Sequence, residues 1–184
     1  MIWNQVVCIG DSLTYGARDE YGLSFPSELS KILMEKMDGL WFCHNYGVNG
    51  ETSSDILRRC WKIFSGHTDV KLATLLAGTN DMKIPIPPEI YRENIIQIVR
   101  AGQVHGMKVI LGTLPPLKFC PFYPKENRDY IQKYSEEILN IAAENNLPVC
   151  DLSHLGEHVI DGVHFGHEGY VEMAKAWASI ILNL

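Results

Sequence analysis

Val6-Val7-Cys8-Ile9-Gly10-Asp11-Ser12-Leu13-Thr14-Tyr15-Gly16 runs from an apolar, mostly β-branched segment into a polar stretch bounded by glycines. So short a run closed by Gly10 reads as a buried strand, which puts Ser12 in a turn at the strand's carboxyl end. Working outward, the pattern repeats. Leu40 to Tyr46 reads as a second strand, ended by Gly47. Leu72 to Ala77 is a third, the most apolar of the set and therefore central. Met107 to Leu111 and a short Leu147 to Cys150 complete five.

Segments of helical period separate them. Ser24 is placed to cap a helix with the stripe Phe25, Leu29, Ile32, Leu33 and Met37. Ser53 or Ser54 is placed to cap another, which buries Ile56, Leu57, Cys60, Trp61 and Phe64. Pro85, Pro87 and Pro88 break the chain before a helix carrying Tyr91, Ile95, Ile98, Val99 and Gly102. Ile131, Tyr134, Ile138, Ile141 and Ala142 line the next. The last, from about His167, buries Tyr170, Met173, Ala174, Trp177, Ala178 and Ile181. Five βα units in series predict an α/β fold: a three-layer α/β/α sandwich around a five-stranded parallel sheet. The expected strand order is the flavodoxin-like 2-1-3-4-5. The 184 residues suit one domain, 1–184, with no repeat or linker.

Hydrophobic residues at 46% and charged residues at 21% exclude a disordered chain. A net charge of −6 argues against a nucleic-acid partner. No apolar stretch approaches the roughly 18 residues of a membrane span. Met1-Ile2-Trp3-Asn4-Gln5 has neither the basic nor the apolar part of a secretory leader, so none is expected. Cys8, Cys43, Cys60, Cys120 and Cys150 are odd in number and form no C-x-x-C pair, which points to a reducing, cytoplasmic setting. Oligomeric state is left open by these features.

In open parallel sheets, ligands bind beyond the carboxyl ends of the strands. Four polar clusters fall there: Gly10-Asp11-Ser12-Leu13 after strand one, Gly47-Val48-Asn49-Gly50-Glu51-Thr52 after strand two, Gly78-Thr79-Asn80-Asp81 after strand three, and Asp161-Gly162-Val163-His164 before the last helix. The strings Gly-Asp-Ser-Leu, Gly before an acidic-Thr pair, Gly-x-Asn-Asp and Asp-x-x-His, in that order, resemble the SGNH (GDSL-type) hydrolase family along the whole chain. The resemblance implies a serine ester hydrolase (an esterase, lipase or acylhydrolase) that passes through an acyl-enzyme on a small acyl or aryl ester and needs no cofactor or metal. It also implies an oxyanion hole made by the Ser12 backbone N–H, the Gly50 backbone N–H and the Asn80 side chain. Thr79 occupies the family's variable place.

The residues themselves support those roles. A serine hydroxyl is a weak nucleophile until a base takes its proton; His164 is the available base, and Asp161, three residues earlier, can hold its other ring nitrogen. Taken alone, Ser12 would be an N-cap, Asp161 a turn residue beside Gly162, and Asn80 a turn residue too. Asp11 is expected to order the Ser12 loop through backbone N–H groups, and Asp81 to cap or brace its own loop. Two other classes stay open. One is a flavodoxin-like binding module in which Ser12-Leu13-Thr14 cradles a phosphate. The other is a metal-dependent hydrolase using His164 and His167. Within the favoured class, carbohydrate O-deacetylation is the alternative. Leu13 and the apolar loop Leu114, Pro115, Leu117 and Phe119 are the expected substrate contacts, and that loop favours a lipophilic or aryl ester.

Overall fold

The computed structural model describes residues 3–83, 85–118 and 127–184. β1 (Trp3–Gly10) pairs in parallel with β2 (Leu40–Gly47) on one side and β3 (Leu72–Leu76) on the other. β3 then pairs with β4 (Lys108–Gly112), and β4 with β5 (Val149–Cys150). The sheet is all parallel in the order β2-β1-β3-β4-β5, as the sequence predicts. Gly10 lies level with Gly47 on one flank and Leu76 on the other, so the loops after β1, β2 and β3 leave the sheet side by side.

Helices cover both faces. α2 (Phe25–Lys36) packs on α6 (His167–Ile181), with the rings of Phe25 and Trp177 stacked at 5.8 Å. α4 (Pro88–Val104) packs between α3 (Ser53–Ser65) and α5 (Tyr130–Asn145). The core joins Val6 to Ile9, Ala73, Leu75 and Val109 to Leu111 with the stripes of these helices. Trp177 is fully buried, and truncating such a side chain to Ala costs about 3–5 kcal/mol.

Local chemistry moves several details from the sequence reading. α3 is capped by Thr52, not by Ser53 or Ser54: the Thr52 side chain accepts from the Asp55 N–H, and the Asp55 carboxylate accepts from the Thr52 N–H. Ser24 stands at the N-cap of α2 without a capping hydrogen bond; its hydroxyl accepts from Asn45 Nδ2 instead, at 3.0 Å. Trp61, expected in the core, is half exposed, because it lies beside the apolar stripe of Ile56, Cys60 and Phe64. β5 is only two residues long. Leu147 spends its N–H on Ala142 O at the end of α5, and Pro148 has none to give.

Candidate active site

β1 does not run into an open turn. It ends at Gly10 and the chain at once forms a one-turn helix, α1 (Ser12–Tyr15). Asp11 is its cap, accepting the Leu13 N–H at 2.9 Å, which leaves the Ser12 hydroxyl uncommitted to capping. α1 can sit there because β2 ends in glycine: a Cβ on Gly47 would lie 2.0 Å from Tyr15 N. One other residue ties this corner together. Arg59 of α3 donates from Nη2 to Gly10 O (3.1 Å) and Tyr46 O (2.8 Å), and from Nε to Glu51 Oε2 (2.7 Å). The ends of β1 and β2 and the loop after β2 thus share one guanidinium.

Ser12 and His164 are 152 positions apart in sequence, yet His164 Nε2 lies 2.9 Å from Ser12 Oγ. His164 Nδ1 lies 2.9 Å from Asp161 Oδ2. The other oxygen of Asp161 accepts the N–H groups of Val163 (3.1 Å) and His164 (2.8 Å), so the short loop holds its own carboxylate in place. Partial burial would raise the Asp161 carboxyl, but the hydrogen bonds from the His164 and Val163 amides and the His164 ring outweigh it and hold it well below the usual carboxylate range. An ionised carboxylate only accepts. The imidazole hydrogen is therefore on Nδ1, and Nε2 is an acceptor for the Ser12 hydroxyl.

The cavity beside this chain of hydrogen bonds has a volume of about 430 Å³ and is lined by Ser12, Tyr15, Ala17, Arg18, Asn49, Gly50, Asn80, Lys83 and His164. Gly50 is in the left-handed region (φ +81°), and a Cβ there would meet open space, so backbone conformation and not crowding favours glycine. Its N–H makes no hydrogen bond among the described residues. Asn80, almost fully buried, opens the 3-10 turn after β3 and donates from Nδ2 to Glu51 O at 3.0 Å, joining its turn to the Gly50 loop. Next to it, the buried Asp81 carboxylate accepts both the N–H and the hydroxyl of Ser53 at the start of α3. Burial raises the Asp81 carboxyl, and the Ser53 hydrogen bonds oppose that rise. Asp11 has less help: burial, with the nearby Asp81 charge, pushes it up to about 7 against the Leu13 and Asp11 backbone N–H groups and the Lys83 charge, and its Oδ2 has no partner among the described residues.

The expected substrate contacts do not line this cavity. Leu13 follows Ser12 on a helix, about 100° round the axis, so it points into the core and is fully buried. Leu114 and Pro115 are buried, the Leu114 N–H bonded to Ser135 Oγ, and Leu117 packs against the core. Phe119 lies outside the described residues. The two histidines of the metal reading are separately engaged: His167 opens α6 and its Nδ1 meets Asp19 Oδ2 at 3.1 Å. Sequence reasoning missed Arg59, although a cation at the margin of α3's apolar stripe was a usable signal. It also missed Arg18 and Lys83, which carry no motif, and it gave Asn49 no role beyond its place in the polar cluster after strand two.

Solved structures share the fold. A lipase/acylhydrolase from Enterococcus faecalis shares the fold with a TM-score of 0.82, at 24% identity over 98% of this chain and 96% of that one. The aryl esterase of M. smegmatis superposes with a TM-score of 0.81 at 18% identity, covering 98% and 99%. A carbohydrate acetylesterase from Sinorhizobium meliloti gives 0.81 at 18%, again covering 98% and 99%. In sequence, the chain is 29% identical over 128 residues to "Uncharacterized lipoprotein YqeF" of Bacillus subtilis (strain 168), a match covering 62% of this chain and 50% of that protein. The chain therefore spans about half the length of the curated relative it matches. Residues 8–171 match the GDSL-like Lipase/Acylhydrolase family, and the chain belongs to that family.

Proposed function

We propose that this protein is a serine ester hydrolase in which Ser12 is the nucleophile, His164 the general base and then acid, and Asp161 the group that orients and charges the imidazole. The observation that carries the reading is the unbroken chain Ser12 Oγ, His164, Asp161, with both contacts at 2.9 Å. In the first half-reaction the Ser12 oxygen adds to the ester carbonyl while its proton moves to His164 Nε2. The tetrahedral oxyanion is stabilised by the Ser12 N–H, the Gly50 N–H and the Asn80 amide. Collapse breaks the ester C–O bond, and His164 returns the proton to the departing alcohol. Water then repeats the cycle on the acyl-enzyme, releasing the acid and free Ser12. No step calls on a cofactor, and a phosphate-cradling module would leave the His164–Asp161 pair without work.

The cavity lining mixes polar side chains with the apolar surface of Tyr15, Ala17 and the stems of Arg18 and Lys83, and its volume suits a small acyl or aryl ester. The polar side chains support a second reading within the class, deacetylation of a carbohydrate. Among the described residues no helix is long and apolar enough to cross a membrane. The test is a fluorophosphonate probe followed by peptide mass spectrometry. Labelling of Ser12 with parallel loss of activity towards p-nitrophenyl acetate is the expected result; a label on another residue, with activity surviving in Ser12→Ala, overturns the assignment.

A further inference from the structure

The two formally charged side chains lining the cavity have the same sign. In a chain of net charge −6, the residues lining it include two cations, Arg18 and Lys83, and no carboxylate. Arg18 is held there at a cost. Its backbone has φ +73°, a conformation that costs a non-glycine residue and is kept only when the surroundings impose it. Three hydrogen bonds impose it. The carbonyl of Ala17 accepts the Tyr170 hydroxyl at 2.7 Å. On the other side, the carboxylate of Asp19 meets His167 Nδ1 at 3.1 Å, and that of Glu20 accepts the His167 N–H at 2.9 Å. Both flanks of Arg18 are thus fastened to α6, the helix that follows the His164 loop.

The guanidinium is oriented as well. Nε donates to Asp161 Oδ2 at 3.1 Å, while the two Nη groups make no hydrogen bond among the described residues and the side chain stays 66% exposed. A planar donor with one edge fixed and the other open suits an oxyacid group, which it can meet with two N–H donors. Lys83 ends the turn begun by Asn80 and adds a second, less directional cation.

We infer that the ester handled at this site carries a negatively charged oxyacid group, carboxylate or phosphate, within a few bonds of the scissile C–O bond, and that Arg18 and Lys83 bind it. This rests on the hydrolase reading above and narrows its substrate class. Tyr15 and Asn49 then face the uncharged remainder of the molecule, and the charged group sets its direction in the cavity.

Two matched pairs test the inference on the purified chain. Mono-p-nitrophenyl glutarate against p-nitrophenyl valerate places the charge on the acyl side. 4-Acetoxybenzoate against methyl 4-acetoxybenzoate places it on the alcohol side. At low salt the charged member of at least one pair has a kcat/KM about five- to tenfold above its neutral match. That ratio shrinks in about 0.5 M NaCl. Arg18→Gln and Lys83→Gln each reduce it, while Arg18→Lys retains most of it. The ratio is taken within each variant, because Arg18 also touches Asp161 and its loss slows both members together. A ratio at or below one in both pairs, with the neutral esters still turned over, overturns this inference and leaves the hydrolase standing. So does a preference that survives unchanged in both Gln variants. Failure of all four esters, with Ser12 unlabelled by fluorophosphonate, instead removes the hydrolase reading and this one with it.

Discussion

The two halves of the candidate site are built to different standards. Ser12, Asn80 and their neighbours Asp11 and Asp81 are buried at the ends of β1 and β3 and tied into the sheet through Arg59, Ser53 and Glu51. Asp161 and His164 sit on a loop beside the sheet, with 33% and 22% of their side chains exposed, and are held mainly by hydrogen bonds within the loop itself. The single bridge Val159–Phe165 closes that loop's base. Where a reacting group is part of the core, changing it disturbs fold and chemistry together. Where it stands on a self-contained loop, the two separate.

The sharpest way to break the contrast is His164→Ala. The proton of Ser12 then has no acceptor, and kcat falls by about 10³-fold or more. Because the side chain is on the loop half, the thermal midpoint stays within a few degrees of wild type. Near-normal turnover, or collapse of the fold, contradicts the division. Asn80→Ala tests the other half. In the proposed mechanism the amide acts on the charged intermediate, so turnover falls about 10²- to 10³-fold with KM little changed. Here stability falls too, by about 1 kcal/mol, as Glu51 O loses its partner. A variant that melts early but keeps full kcat per folded molecule makes Asn80 a structural brace only.

The third test is electrostatic and belongs to the buried half. Asp11 titrates at about 7 in the folded chain because burial penalises its charge, against about 3.9 when unfolded. The native state therefore holds a proton that the unfolded chain has released. This contribution to stability is complete below about pH 4 and is lost as pH rises through about 7, with a slope of at most about 1.4 kcal/mol per pH unit. Asp11→Asn keeps an acceptor for the Leu13 N–H and removes the titration. Denaturant unfolding between pH 5 and pH 8 then shows a weaker loss of stability in the variant than in wild type. Equal slopes refute a protonated Asp11.

Much of this was legible in the chain before its fold. The strands announce themselves through short β-branched runs, the parallel sheet follows from five βα units and its order from the flavodoxin-like expectation, and the four polar clusters fall at the strand ends that the fold brings together. What stayed hidden was of two kinds. One-turn features have no periodicity to read, so α1 and the Thr52 cap were invisible beside the serines that follow. The cavity wall was hidden for another reason. Arg18 and Lys83 reach it through loop paths set by contacts such as Tyr170 with Ala17 across 153 residues, while the apolar Leu13 and Leu114, more conspicuous as a sequence signal, went to the core. Apolar residues report reliably on folding and poorly on what a polar pocket accepts.

The guanidinium of Arg59 bears on how a molecule of this design diversifies. By joining two strand ends and Glu51, it makes the Ser12 corner and the glycine loop one mechanical piece supported from α3, whereas the segment that carries Arg18 takes its side-chain ties from α6 and Asp161. Substitution at Arg18 alters what enters the cavity and, through Asp161, reaches the His164 side of the site, while the Arg59 ties of the Ser12 corner stay in place. Selection for a new substrate thus has a charged position it can vary without loosening the strand ends, provided the anchors at 17, 19 and 20 are kept.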